Sequence, residues 1–432
     1  KAPLGGAMVR SSILIGAFRP PRLPAYNRHQ LSNGLEVYLL PFGQDEVLQL
    51  EWISRAGNAH LQQAGLANYG LANLQEGTEK RSAKQIAQEL DQYGAWVGHD
   101  VGDEVVSLQL SMLSKQFAQI APLFRDLLCE PSFPAENFAQ MKARAQQNLL
   151  TASQKTSFQA RRRFGRLLYG ESHPYGRHLG IEELEALSLP DIKAYHQSYL
   201  VPANTVLAIC GRFDEEAVLS VLEEQLGTIP SGNAPLLTDY AAQVPQNQLT
   251  TEFIERKGPQ STIRMGHLSL SRHDEDYVGM RVLMTLLGGF FGSRLMKKIR
   301  EEKGYTYGVY AALSGRPKYG QVVIQTDVAN AYVADTQSII REEMKRLQDH
   351  APEEAELRLV KNYMLGQSLN QRETAFQLGS ILRYHIASGI DFTEMEQRFV
   401  QIEALTTAKI RDLAQKWLRP EQMLSIICGG AK

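Results

Sequence analysis

The sequence predicts an α+β protein made of two copies of one unit, and three observations predict it. Residues 192–211, IKAYHQSYLVPANTVLAICG, superpose without a gap on residues 410–429, IRDLAQKWLRPEQMLSIICG; 410 minus 192 gives one constant offset of 218. The identical pairs include Gln197 with Gln415, Leu200 with Leu418, Pro202 with Pro420, Ile209 with Ile427, Cys210 with Cys428 and Gly211 with Gly429. A match of this length closing each half reads as an internal duplication. Second, strand and helix signals recur in the same order in both halves. Third, residues 227–248 are rich in Pro, Gly, Asn and Gln and carry little periodicity, as a linker does. The expected division is 1–228, a linker at 229–249, and 250–432. Each unit should pair its strands and cover one sheet face with helices. Duplicated halves commonly face each other across a cleft.

Element by element, Asn33-Gly34 is a turn signal ahead of an alternating run at 35–40, and this run and a second at 47–53 are expected to form a β-hairpin. Leu66, Tyr69, Leu71 and Leu74 mark a buried helix, and Ile86, Leu90 and Tyr93 a second. Alternation in VVSLQLSML predicts a strand, followed by helices at 117–128 and 135–150. Breaks fall at Pro131-Ser132-Phe133-Pro134 and at His173-Pro174-Tyr175-Gly176. A helix at 189–199 and a strand at 205–210 close the half. Beyond the linker come strands to Leu270, a helix at 277–287, a strand at 322–327, long helices to Trp417 and a strand at 423–428.

Composition narrows the function classes. With 432 residues the chain can bury two cores. Its 46 Lys plus Arg against 47 Asp plus Glu imply neither a nucleic acid nor an anionic membrane as partner. No apolar run spans a bilayer, and the segment 12–18 is too short to do so. The chain starts at Lys1 rather than Met, which fits a processed signal peptide or a truncation and favours a bacterial periplasmic setting over a cytoplasmic one. Cys129, Cys210 and Cys428 are too scattered for a disulfide framework or a zinc cluster, and neither HExxH nor HxxEH occurs.

The most informative stretch is 288–313, GGFFGSRLMKKIREEKGYTYGVYAAL. Ser293 suits an N-cap, Leu295 and Ile299 share one helical face, and Gly304 supplies a stop. Tyr305, Tyr307 and Val309 then alternate as a strand would, so Arg300 and Tyr307 could converge. A planar cationic fork beside a neutral hydroxyl suits a peptide carbonyl or a developing oxyanion. Composition alone favours a plainer reading, a solvated basic face beside a core tyrosine. The glycines of GGFFG lack the Lys-Ser/Thr of a phosphate loop and point to a close helix approach. Arg161-Arg162-Arg163 reads as a solvated helix face. His60, His99, His173 and His178 fall in or near turns, have no ligand spacing, and suit solvated or hydrogen-bonded roles.

This stretch resembles the C-terminal half of the M16 zinc metallopeptidases, with SRL, a short helix, Arg300-Glu301-Glu302-Lys303-Gly304, and a tyrosine seven after the arginine. The resemblance runs from about Tyr26 to Gly429 and is nearest to the short M16B type. It implies mostly antiparallel sheets in an M16/LuxS-like fold, paired chains closing as a clam shell, and Arg300 and Tyr307 reaching a zinc site on another half-molecule.

The family's own zinc motif, HxxEH followed by G-T, aligns with GLANYGLANLQEGT at 65–78, where Asn68, Leu71 and Ala72 occupy the chemical positions. The third ligand position falls near Asn148, with no Glu or Asp between Asn137 and Leu150. Such residues cannot assemble a zinc hydroxide. The resemblance therefore implies a chain without zinc of its own, completing with Arg300 and Tyr307 the site of a homologous HxxEH-bearing M16B subunit that holds zinc and cleaves peptides. Two alternatives remain: a structural subunit like the core proteins of respiratory complexes, and an independent peptide-binding module.

Overall fold

A computed structural model describes residues 22–237, 240 and 250–430; the apolar run at 12–18 and linker residues 238–239 and 241–249 lie outside the described residues. In the first half, β1 (Asn27–Gln30), β2 (Glu36–Pro41) and β3 (Val47–Ser54) precede α1 (Leu66–Ala72) and α2 (Ala83–Tyr93). Then follow β4 (Trp96–Val101), β5 (Val106–Leu113), α3 (Phe117–Cys129), α4 (Ala135–Ser153), α5 (Thr156–Tyr169), α6 (Ile181–Ala186), α7 (Leu189–Tyr199), β6 (Thr205–Gly211) and α8 (Glu215–Gln225). The second half runs β7 (Thr251–Glu255), β8 (Gln260–Ser269), α9 (Tyr277–Met284), β9 (Val309–Ser314), β10 (Gly320–Ala329), α10 (Val333–Asp349), α11 (Glu354–Asn370), α12 (Ala375–Ser388), α13 (Phe392–Ala404), α14 (Thr407–Trp417) and β11 (Leu424–Gly429). No helix among the described residues is long and apolar enough to cross a membrane.

The sheets have orders β1-β2-β6-β3-β5-β4 and β7-β11-β8-β10-β9. Both are mostly antiparallel, with one parallel pair each, β2 with β6 and β7 with β11. The repeated stretches fall on α7 with β6 and α14 with β11, so the offset of 218 maps equivalent strands onto each other. The expected hairpin is corrected here. The Asn33-Gly34 turn joins β1 to β2, whereas β2 and β3 do not pair, because the apolar β6 inserts between them. A strand apolar on both faces prefers such a central position.

Leu48, Leu50 and Trp52 of β3 turn to a core shared with α1, α3 and α7; Met265 and Ile263 of β8 turn to one shared with α9, α10 and α14. The opposite face of each sheet is also covered, which the expectation of helices on one face missed. There α5 lies on the second sheet, with Ala160, Phe164 and Leu168 against Leu424, Ile426 and Cys428. In return α12 lies on the first, with Ala375, Leu378 and Leu382 against Leu40, Ile53, Ala208 and Cys210. The halves thus exchange one helix each. Gly379 lets α12 sit close, since a Cβ there would stand 2.9 Å from Gln49 Oε1.

Polar ties fix the exchange. Arg163 of α5 makes a bidentate pair with Glu252 of β7 at 2.7 and 2.8 Å, so the arginine cluster is only partly solvated; Arg162 also bonds the Leu179 carbonyl at 2.6 Å. Arg383 of α12 reaches Ser107 at 3.1 Å and buried Glu51 at 3.6 Å. The strand registers make Glu51 of β3 and Arg264 of β8 equivalent, facing Ala208 and Ile426. Both are buried beneath the incoming helix, and the Arg264 guanidinium lies 5.0 Å from the Phe164 ring centre. The Tyr240 and Tyr175 hydroxyls lie 2.6 and 2.7 Å from Glu104, and Arg316 pairs with Asp103 at 3.2 Å across the halves.

Two outcomes are expected. Phe164→Ala should cost about 3–5 kcal/mol in chemical denaturation; a loss below about 1 kcal/mol would show that α5 is dispensable to the second sheet. Burial pushes the Glu51 carboxyl up from 4.5 to about 7, against the pull of Arg383. The folded chain holds this proton more tightly than the unfolded one, so stability falls as pH rises between those values. Glu51→Gln should therefore gain up to about 3 kcal/mol near pH 8, and the gain should vanish near pH 4. Melting curves across that range check it, and a pH-independent difference would contradict it.

Candidate functional site

The Arg300–Tyr307 stretch starts where α9 gives way to a wide π-helical turn, Thr285–Gly289. Gly288 is required there, since a Cβ would meet Ala311 of β9 at 2.7 Å. The expected close approach is thus to a strand rather than a helix. Phe290 stacks on Tyr363 of α11 at 5.0 Å, and Arg294 grips Glu356 of α11 with two bonds of 2.8 Å. Leu295 and Ile299 are fully buried, as their spacing implies. Ser293 is buried but its hydroxyl makes no cap; its carbonyl instead accepts from Lys297 N–H at 3.0 Å. The helix that follows is a π-helix over Met296–Glu302, and Gly304 ends it with φ +67°.

Tyr307 precedes β9 rather than lying within a strand, because β9 begins only at Val309. Its loop is nevertheless fixed. Thr306 Oγ1 donates to the Asp327 carbonyl at 2.8 Å and accepts from Gly308 N–H at 3.1 Å. Tyr305 turns the other way, stacked on Tyr332 at 4.0 Å and bonded to Asp335 at 2.9 Å. Tyr307 is left 90 % exposed.

Arg300 and Tyr307 do come together. The Arg300 guanidinium carbon lies 5.1 Å from the Tyr307 ring centre and 4.6 Å from that of Phe291, so the fork is held between two rings. Neither the guanidinium nor the Tyr307 hydroxyl has an acceptor or ion-pair partner among the described residues, which leaves their donors available to an outside group. Phe291, 61 % exposed, was missed as a site residue. The adjacent pair Phe290-Phe291 was the available signal, since consecutive aromatics in a turn cannot both face the core.

The positions aligned with the zinc motif are placed differently. Asn68 is exposed on α1, Leu71 is buried in the first core, and Ala72 is half-buried. Asn148 is exposed on α4. No hydrogen bond joins these four to one another or to the Arg300–Tyr307 pair among the described residues. Nor do any three His, Cys, Asp or Glu side chains meet there as a metal site would need. A buried leucine and an alanine offer no lone pair, so this frame does not fit zinc.

The histidines are structural. His173 is buried, accepts from Tyr175 N–H at 3.1 Å and stacks on Tyr169; burial, then Arg316 and Arg177, push it down to about 4. His178 is pushed down to about 4 by burial and then by Arg162 and its neighbours. His60 lies 3.7 Å from Glu104. His99 sits inside β4 rather than at a turn, paired with Leu108 of β5.

Residues 186–364, which include both Arg300 and Tyr307, match the Peptidase M16 inactive domain. An uncharacterised zinc protease of Streptomyces coelicolor is 23% identical over 369 residues, covering 84% of this chain and 80% of that one. The non-peptidase homolog YmxG of Helicobacter pylori is 21% identical over 411 residues, covering 93% of each. The crystal structure of a peptidase M16 inactive domain from Pseudomonas fluorescens superposes with a TM-score of 0.86 at 22% identity, covering 94% of this chain and 98% of that one. At that identity the superposition speaks for the fold. Together, the domain match over residues 186–364, the relatives along most of the chain and the superposed fold make the chain similar to M16 proteins, and the motif HxxEH does not occur in it.

Proposed function

We propose that this chain is the zinc-less subunit of a two-chain M16B peptidase, lending Arg300 and Tyr307 to an HxxEH-bearing homologue and helping to enclose peptide substrates. The observation that carries the reading is the pair of donors without acceptors among the described residues, on an anchored, exposed segment, in a chain whose own ligand positions lack His and Glu. The units 1–228 and 250–432, joined at 229–249, belong to the same reading, as the two lobes of half a clam shell.

Zinc held by the partner would supply the activated water. This chain's part is to hold and orient. The Arg300 fork, braced between Phe291 and Tyr307, would align the peptide carbonyl, and the Tyr307 hydroxyl would donate to the oxyanion as it forms. Such donors act best when they need no reorganisation, which the Thr306 and Arg294 anchors provide.

The test is hydrolysis of a quenched-fluorescent peptide set by this chain, by an HxxEH-bearing homologue from the same organism, and by their equimolar mixture. Activity confined to the mixture is the expected result. Equal activity of the homologue alone would make this chain a scaffold, and peptide binding by an isolated monomer would favour a binding module. In the mixture, Arg300→Ala with Tyr307→Phe should lower turnover by about 10² to 10³ without loss of assembly. Phe291→Ala removes one face of the brace and should cost only about 0.5–1 kcal/mol, a few-fold in rate.

A further inference from the structure

A cavity of about 480 Å³ opens between α9, α11, α12 and α13, separate from the Arg300–Tyr307 segment. That volume lies within the range of about 300–1,000 Å³ common to small-molecule sites. We propose that it binds a fatty acid of medium or long chain, with the carboxylate on arginines and the alkyl chain against the apolar wall.

Two features select this ligand class. The wall is built from Val278, Met364, Ile381, Phe399 and Ile402, which suit an alkyl chain, and methionine adapts readily to its shape. Around it stand Arg281, Arg372 and Arg398, while no Asp or Glu lines the cavity. The nearby acids stand behind the arginines. Glu394 accepts from Arg398 Nη2 at 2.9 Å, and Glu396 accepts from Leu23 N–H at 2.6 Å while its charge also acts on Arg372. Arg398 is further fixed by the Arg272 carbonyl at 3.0 Å and the Tyr277 ring, and Arg372 lies 4.7 Å from the Phe399 ring centre. Arg281 is exposed at the edge and has no ion pair among the described residues.

Other ligand classes fit less well. A cation would find no carboxylate in the lining and would meet Arg281 at the edge, and a small inorganic anion would leave the apolar wall uncovered. A peptide needs donors and acceptors along its backbone, yet two of the polar side chains here serve their own helix. Gln377 closes the capping box of α12, and Ser380 Oγ donates to the Phe376 carbonyl. A planar carboxylate matches the guanidinium fork, and its chain supplies the apolar contact.

Isothermal titration of the whole chain with dodecanoate below its micelle concentration tests this, with dodecyltrimethylammonium as the opposite charge and N-acetyl-Leu-Leu-Phe as a peptide free acid. Saturable binding near one per chain is expected for dodecanoate alone. The Arg281→Gln, Arg372→Gln variant should weaken it at least about tenfold, and Ile381→Trp should fill the cavity and abolish it. Should Ile381→Trp fail to fold, the arginine variant decides, since its changes fall on partly exposed side chains. Absence of saturable dodecanoate binding, equal binding of the cationic amphiphile, tighter binding of the peptide, or an arginine variant that binds as the natural chain does would each overturn the proposal.

Discussion

Both sheets of this protein are buried on two faces, and on each the second cover is a helix supplied by the other half. Deleting that cover would expose Leu40, Ile53 and Ala208 on one side and Leu424, Ile426 and Cys428 on the other. At about 25 cal/mol per Å² of apolar surface, such rows outweigh any single ion pair at the same boundary. The exchanged helices therefore set how the halves meet, and Arg163–Glu252, Arg316–Asp103 and Arg383–Glu51 specify the register within that contact. The Glu51 pair adds specificity at some cost, because burial pushes its carboxyl towards the neutral form.

Much of this was legible in the sequence. The repeat identified α7 with β6 and α14 with β11; α7 keeps the expected bounds, Leu189–Tyr199, and α14 ends at the expected Trp417. Local periodicity reports which residues face a core, but it does not say which core. Phe164 and Leu378 look like ordinary interior positions, and nothing nearby in sequence tells that their partners lie in the other half. Strand partners have the same difficulty. The Asn33-Gly34 turn was read correctly as a turn, but the run after it was paired with the wrong strand, because insertion of β6 beside β2 depends on a contact 170 residues away.

At the candidate site the spacing between Arg300 and Tyr307 carried the reading. Seven residues covering a helix end and a tight glycine stop can return a side chain to its neighbour, and the structure brings these two into contact. The π-helical geometry was not legible, since a wide turn carries no residue signature of its own. Phe291 was marked only by the adjacent aromatic pair, and its place beside the Arg300 guanidinium has no spacing signature of its own. The loss of ligand chemistry at Asn68, Leu71 and Ala72 could be read directly, because it depends on side-chain type rather than position.

One consequence of the helix exchange concerns assembly. A single unit of this kind would leave one sheet face bare, and two separate units could cover both faces only by meeting, at a rate that depends on concentration. The covalent connection between α8 and β7 replaces that encounter with a high effective concentration, fixed by chain length rather than by expression level. Closure of the halves thus becomes a first-order step, and the protein's integrity stays independent of dilution even though its interior is built like that of a dimer.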